Sequence, residues 1–458
     1  MTFRVDFRAV DLLELLRRPE GKTLEFKRDL SSPAGVVKSV VAFANTSGGV
    51  LVIGVDDGSR HVRGVAEPLD LEERLANVIS DQIAPRLVPE IEIIPWRGTH
   101  VVAVEVFPSP IRPHYLASTG LDAGVYVRVG STNRRADPDL VEELRRYARG
   151  EAYDEQPLPE LDSEAVDFRA ASELFAPVRK LRRADLETLR LLTVHQGRTV
   201  PTVGGVLLFG HDRARLFPDA WIQAGRFAGT DKSRLLDQAE IRSHLPQATE
   251  DAIGFIQKHS LHGVEIGPVR HTDRWSIPPV AVREAVINAV AHADYRQHGA
   301  PIRVAIFDDR LEVESPGLLP FGLTVDDLHR GVSKLRNRVI GRVFHTLGLI
   351  EQWGSGIQRM TAACLDAGFP PPLLEEIGIR FRVTLFTTRV TAPTMDETDR
   401  AILNALTENG GLTSEVAAAI GLSTRATRTR LARLVERGLV REIGTSPSDP
   451  RRRYYPAT

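Results

Sequence analysis

A single cysteine, Cys364, in 458 residues leaves no partner for an internal disulfide and no ligand set for a cysteine-rich zinc module. No apolar run reaches the length a membrane helix needs. The opening MTFRVDFRAVDLLELLRR is amphipathic and charged, unlike a secretory leader. Together these absences lead to the expectation of a cytoplasmic protein with no membrane partner. Nothing matches Gly-x-x-x-x-Gly-Lys-Ser/Thr, the loop that cradles phosphates in P-loop motors, so a helicase motor of that type is excluded. Excess charge of either sign is also missing: 59 basic and 60 acidic residues give a net charge of −1, so any affinity for polyanions must be local. What is present, 42% hydrophobic and 26% charged residues, is the composition of a globular protein. The length suits about two to four domains.

The stretch Glu20–Asp57 reads as strand, helix, strand. Thr23–Arg28 alternates, with Leu24 and Phe26 on one face and Glu25 and Lys27 on the other. Ser32-Pro33 predicts a helix start, with Ser as N-cap and Pro in the first turn. Asn45-Thr46-Ser47-Gly48-Gly49 ends that helix, and Val50–Val55 is a short apolar run typical of a buried strand. Glu20, Glu25 and Asp56 stand at strand ends, where converging carboxylates would offer the oxygen ligands that Mg²⁺ or Mn²⁺ prefers. Lys27 could meet a phosphate as a point charge. The alternative is that all four are solvated surface charges.

GKTLEFKRDL, VAFANTSGGVLVIGVDD, IRPHYLASTG and GVYVRVGSTNRRAD together resemble the Schlafen-type, or AlbA-like, domain over roughly residues 7–150. The resemblance implies an α+β nucleic-acid-binding domain. In the family's nuclease members an acidic triad performs metal-dependent cleavage of structured RNA, and Glu20, Glu25 and Asp56 occupy the matching places. Many bacterial relatives are instead regulators. Asp137-Pro138 starts a closing helix, and Arg128, Arg134 and Arg135 near it suit phosphate contacts.

The acidic, proline-containing EAYDEQPLPE (151–160) reads as a linker, with residues 151–194 as a connection. Asp185–His195 is expected as a helix, and PTVGGVLLFG (201–210) as a strand ending in a turn. In PVAVREAVINAVAHADY (279–295), Glu284, Asn288 and His292 recur at i, i+4 and i+8, stacking three polar groups on one otherwise apolar helix. Gly354 and Gly356 open a later helix, where backbone N–H groups could approach phosphate oxygens. This region resembles the ATPase-like C-terminal domain of proteins labelled RecG-type helicases, a divergent relative of the GHKL ATP-binding fold. The resemblance covers roughly residues 195–386. It implies Glu284 as the water-orienting base, Asn288 as the Mg²⁺ holder, Gly354 and Gly356 as the phosphate lid, and ATP as cofactor. The adenine-reading Asp of that fold is absent: Ser315-Pro316-Gly317-Leu318-Leu319 stands in its place. The alternative is a fold kept for dimerisation or docking.

Residues 396–458 read as a winged helix-turn-helix. From Ser423 to Arg453 nine arginines face three acids. Thr424, Arg425, Thr427 and Arg428 open the recognition helix, and Arg451 and Arg452 lie on the wing. A protein-docking module is the alternative.

The fold class is therefore multidomain α+β: a Schlafen-type α+β domain (1–150), a GHKL-like α/β sandwich (195–390) and a C-terminal winged helix (396–458). The expected function is that of a homo-oligomeric, duplex-DNA-binding transcriptional regulator with a nucleotide-sensing centre. The competing function is a metal-dependent endoribonuclease acting on tRNA-like structured RNA in stress or phage defence.

Overall fold

The computed structural model describes residues 9–266, 271–351, 354–389, 396–406, 410–436, 439–443 and 452–456. The chain divides into two compact units, Met1–Arg389 and Val390–Thr458.

The first unit opens with α1 (Ala9–Arg17), β1 (Leu24–Lys27), α2 (Pro33–Asn45), β2 (Gly49–Ile53), α3 (Pro68–Gln82), β3 (Glu90–Trp96) and β4 (Thr99–Val106). The four strands form one sheet in the order β1-β2-β4-β3. Only β1 and β2 run parallel, joined across α2, because a parallel pair needs a connection too long for a tight turn. Strand alternation splits the side chains between two cores. Leu51, Ile53, Val102 and Val104 pack against Val37 and Val41 of α2 and Leu75 of α3. Leu24, Phe26, Val52 and Val101 pack against Leu12 and Leu15 of α1. Glu25 therefore lies on the opposite side of β1 from α1. Helix α2 begins at Pro33 as expected, although Ser32 makes no side-chain cap bond.

Tyr126–Val129 (β5) pairs with Thr132–Arg135 (β6), so the segment expected as a polar turn is the second arm of a hairpin. Asp137 caps α4 (Pro138–Arg149) by accepting the Leu140 N–H at 2.8 Å.

Residues 151–160 are not a free tether. Asp154 is fully buried and accepts hydrogen bonds from the backbone N–H groups of Arg338, Val339 and Ile340 at 2.8, 2.7 and 3.0 Å. These are open donors at the start of a helix 180 residues downstream, supplied here with a carboxylate cap. Two further expectations fail beyond it. Only Asp185–Thr188 is helical in the Asp185–His195 segment; Leu192–His195 pairs with Arg198–Pro201 around Gln196-Gly197. Val203–Phe209 is a helix, not a strand, and all seven of its residues are buried. Thr202 caps it from its hydroxyl to Gly205 N at 2.9 Å. A Cβ on Gly205 would lie 2.1 Å from Leu191 O, so only glycine allows this helix to sit where it does.

The remainder of the first unit comprises β7 (Ile222–Phe227), β8 (Leu235–Ile241), α5 (Leu245–Ser260), α6 (Pro279–His292), β9 (Ile302–Ile306), β10 (Arg310–Pro316), α7 (Arg338–Thr346), α8 (Gly356–Asp366), β11 (Leu373–Ile377) and β12 (Arg380–Phe386). A six-stranded sheet, β8-β7-β9-β10-β12-β11, carries the helices through one core that includes Ala285, Val286, Val304, Val313, Val339 and Phe344. Ion pairs tie this half to the first: Glu143 of α4 meets Arg296 and, at 2.8 Å, Arg336, while Lys22 meets Glu376 at 2.8 Å.

The second unit is α9 (Glu397–Ala405), α10 (Thr413–Ile420), α11 (Thr424–Glu436) and a hairpin of β13 (Val440–Ile443) with β14 (Arg453–Pro456), to which Gly411–Leu412 adds a third strand. Ile402, Val416, Leu431, Leu434 and Tyr454 form its core.

Candidate functional site

Glu25 is buried, and so is Arg128 opposite it on β5. Arg128 Nη1 donates to Glu25 Oε2 at 2.5 Å and to Asn133 Oδ1 at 2.9 Å. Its Nε reaches Gly21 O at 3.0 Å, and its guanidinium lies 5.2 Å from the centre of the Phe43 ring. Lys27 takes the other Glu25 oxygen at 2.6 Å. Arg128 is thus corrected from a phosphate contact to the internal partner of Glu25: at 1% exposure it cannot reach a strand of nucleic acid.

The other two acids go elsewhere. Glu20 accepts the Phe26 N–H at 2.6 Å. Burial, Asp57 and Glu25 push its carboxyl above the usual value, against that hydrogen bond. Asp56 is turned to Arg63, whose Nε lies 2.7 Å from both of its oxygens. That contact holds Asp56 below the usual carboxylate range. The acid beside Glu20 is therefore Asp57, which the sequence reading passed over. Among the described residues no three acidic, histidine or cysteine side chains gather as a metal site. Glu25 has both oxygens in ion pairs and Asp56 faces an arginine, so this set does not fit Mg²⁺ or Mn²⁺.

The basic residues divide in the same way. Arg134 and Arg135 are exposed on β6. In the second unit Thr424, Arg425 and Arg428 are exposed along the first turns of α11, where a recognition helix meets base edges. Thr427 is corrected: it is fully buried, on the face shared with Leu431 and Leu434. Arg430 pairs with Asp399 at 2.9 Å and locks α11 to α9. Arg452 meets Glu442 at 2.8 Å, and Arg451 lies outside the described residues.

Glu284, Asn288, Gly354 and Gly356 do come together, around a cavity of about 450 Å³. A Cβ on Gly356 would stand 2.6 Å from Glu284 Oε2 and 3.4 Å from Asn288 Nδ2, so α8 starts directly against α6. Gly354 has φ +67°, and a Cβ there would strike Ser333. Val313, Leu319, Leu335, Ile357 and Phe381 give the cavity apolar walls; Arg342, His345 and Lys334 give it cationic ones. His292 also lines it, and burial pushes its imidazole down to about 4, which keeps it neutral. Glu284 is held by Arg359 at 2.9 Å. The lining fits a nucleotide-sized ligand in volume and in its Asn288 and glycine margin. It does not present Glu284 as a free base.

Comparison with known proteins agrees with this geometry. Residues 20–137 match the Schlafen, AlbA_2 family model, residues 299–385 the recG C-terminal model named for ATP-dependent DNA helicases, and residues 395–441 the winged helix-turn-helix DNA-binding model. This is a Schlafen AlbA_2 protein with a recG C-terminal-type domain and a winged helix.

Among solved structures, the N-terminal domain of a RecG-related protein from Nitrosomonas europaea is 30% identical to the Schlafen AlbA_2 part, over 28% of this chain and 93% of that one, at TM-score 0.23. The DIP2311 protein from Corynebacterium diphtheriae is 19% identical over 98% of this chain and 99% of its own, at TM-score 0.46. No curated protein matches. Among the described residues no helix is long and apolar enough to cross a membrane. The Glu25 partners were missed by sequence reading. One signal for them existed: in Tyr126–Val129, Arg128 alternates with buried Val127 and Val129 on a strand, where an arginine is placed for a partner.

Proposed function

We propose that this nucleic-acid-binding protein is a DNA-binding transcriptional regulator, acting as a homo-oligomer, whose central cavity senses a nucleotide. The observation that carries the reading is the division of labour on α11. Thr427, Leu431 and Leu434 anchor one face in the core, while Thr424, Arg425 and Arg428 stand clear on the other. That is how a recognition helix is seated for the major groove. In the centre, Asn288 and the N-terminus of α8 at Gly356 would hold the phosphates of ATP, which would supply binding energy that depends on its phosphates. Arg359 keeps Glu284 charge-paired, so sensing rather than hydrolysis is proposed. The endoribonuclease alternative is not carried further, because its three acids do not share one pocket.

The test is duplex binding by the full chain as salt is varied. Double substitution Arg425→Ala and Arg428→Ala is expected to weaken binding and to flatten the salt dependence by about two phosphate contacts. Unchanged affinity and slope would remove the DNA-reader reading.

A further inference from the structure

A second recess, of about 600 Å³, lies where α4 and the loops after β4 meet the segment leading into α7. Seven cationic side chains line it against three carboxylates. Two of the acids are already committed: Glu143 to Arg296 and Arg336, and Asp294 to Arg296 at 2.7 Å. Two of the cations have no acid at all. Arg112 is 3% exposed, and its Nε donates to the backbone of Ser109 at 2.7 Å. Its Nη1 is buried without any partner. Lys334 donates to Phe321 O at 3.2 Å. Tyr147 holds both in place, with Lys334 Nζ 3.6 Å and the Arg112 guanidinium 4.5 Å from its ring centre. Phe321 stands edge-on to Tyr147 and 5.6 Å from Arg112.

Like charges are not gathered and buried without reason, since each is desolvated and repelled by the other. Burial pushes Arg112 down to about 10. Burial, then Arg112 and Arg338, push Lys334 down to about 8. The ring faces soften that cost but cannot cancel two charges. A ligand bearing two negative charges would.

We propose that this recess is a phosphate site, in which Arg112 and Lys334 together take a phosphate dianion, the charge of a terminal phosphomonoester rather than of a backbone diester. It is separate from the Glu284 cavity and shares only a wall with it: Lys334, Leu335 and Arg338 line both. It does not depend on that cavity holding a nucleotide. A terminal phosphate could be carried by a small metabolite or by the 5′ end of a strand.

The test is calorimetric titration of the full chain with inorganic phosphate, with ionic strength matched by chloride. Saturable binding is expected. Lys334→Gln should weaken it by roughly tenfold or more, as loss of a charge-assisted hydrogen bond does. Arg112→Gln should do the same. Because Arg112 is buried and its variant could fail to fold, the half-exposed Lys334 carries the decision. Asn288→Ala, in the other cavity, should leave phosphate affinity unchanged. Binding that does not saturate, that survives Lys334→Gln, or that is lost in Asn288→Ala overturns the proposal. Competition by a 5′-phosphorylated single strand but not by its 5′-hydroxyl form would assign the phosphate to a strand end. Competition by a mononucleotide such as AMP and by neither strand would assign it to a metabolite. Either result upholds the site.

Discussion

Arg128 and Glu25 face each other from strands more than a hundred residues apart, 2.5 Å between Nη1 and Oε2, with 1% and 7% of their side chains exposed. This pair bears on any experiment aimed at the acids of the Schlafen AlbA_2 domain. Removing Glu25 leaves a guanidinium buried without its charge partner, and breaking such a pair costs about 3–5 kcal/mol. Glu25→Ala should therefore shift urea denaturation of the full chain by that amount. Glu20→Ala, at a carboxyl already held above its ordinary range, should not destabilise it comparably. Equal stability of Glu25→Ala and wild type would contradict the pairing. A loss of nucleic-acid binding in Glu25→Ala is consequently uninterpretable until its stability is measured.

Glu105 predicts a pH effect. It sits on β4 opposite Glu90 on β3, with Glu92 one pair along, and its Oε2 is buried without a partner. Burial, then Glu90 and Glu92, push its carboxyl up to about 7 from 4.5. A raised folded-state value means that the folded chain holds this proton more tightly than the unfolded one. The stabilisation is present below pH 4.5 and is lost as pH rises through 7. Glu105→Gln keeps the shape and removes the titration. The variant should match wild type in acid and exceed it by about 1–2 kcal/mol at pH 8, after allowance for solvent screening. Parallel stability curves from acid to pH 8 would show that Glu105 does not titrate in this way.

Much of the first sheet was legible because one physical rule dominates there. Residues Leu24 and Phe26, and later Leu51, Val52 and Ile53, obey a period of two on a sheet covered on both faces. The polar ladder Glu284, Asn288 was legible for the same kind of reason, with a period near four. Val203–Phe209 was not: every residue is buried, so apolarity carries no period, and its glycines mark close packing on Leu191 and Val339 rather than a turn. Thr427 could have been placed, since Thr427, Leu431 and Leu434 recur at i, i+4 and i+7. The polar type of residue concealed the apolar face. Arg128 with Glu25, and Arg112 with Lys334, depend on contacts between distant segments, which composition and spacing cannot supply.

The Glu284 cavity predicts a ligand-dependent melt. If ATP binds there, it raises the melting temperature according to concentration over Kd, because it binds only the folded chain. Asn288→Ala removes an amide that lines the cavity and should abolish that rise. Gly356→Ala places a methyl where Glu284 Oε2 now lies. Glu284 is tied to Arg359 and cannot swing away without breaking that pair. The variant should therefore fold with reduced stability and a smaller ATP shift. An ATP-induced rise that both substitutions leave intact would place the nucleotide elsewhere.

Asp154 joins the two halves of the first unit by chemistry rather than by area. It accepts three backbone N–H groups at the start of α7, although burial pushes its carboxyl up to about 7. In Asp154→Ala these donors lose their acceptor inside the protein, and each unsatisfied group costs about 1–3 kcal/mol. The first turn of α7 should then loosen. Arg338 stands in that turn and Lys334 and Arg336 just ahead of it, and the first two line both recesses. The substitution should therefore do two things at once: lower the denaturation midpoint by several kcal/mol of stability, and weaken phosphate and ATP binding together. Asp154→Asn retains one acceptor oxygen and should fall between wild type and Asp154→Ala on all three measurements. If stability falls while both ligands bind as before, α7 keeps its position without its cap, and the shared wall does not depend on Asp154.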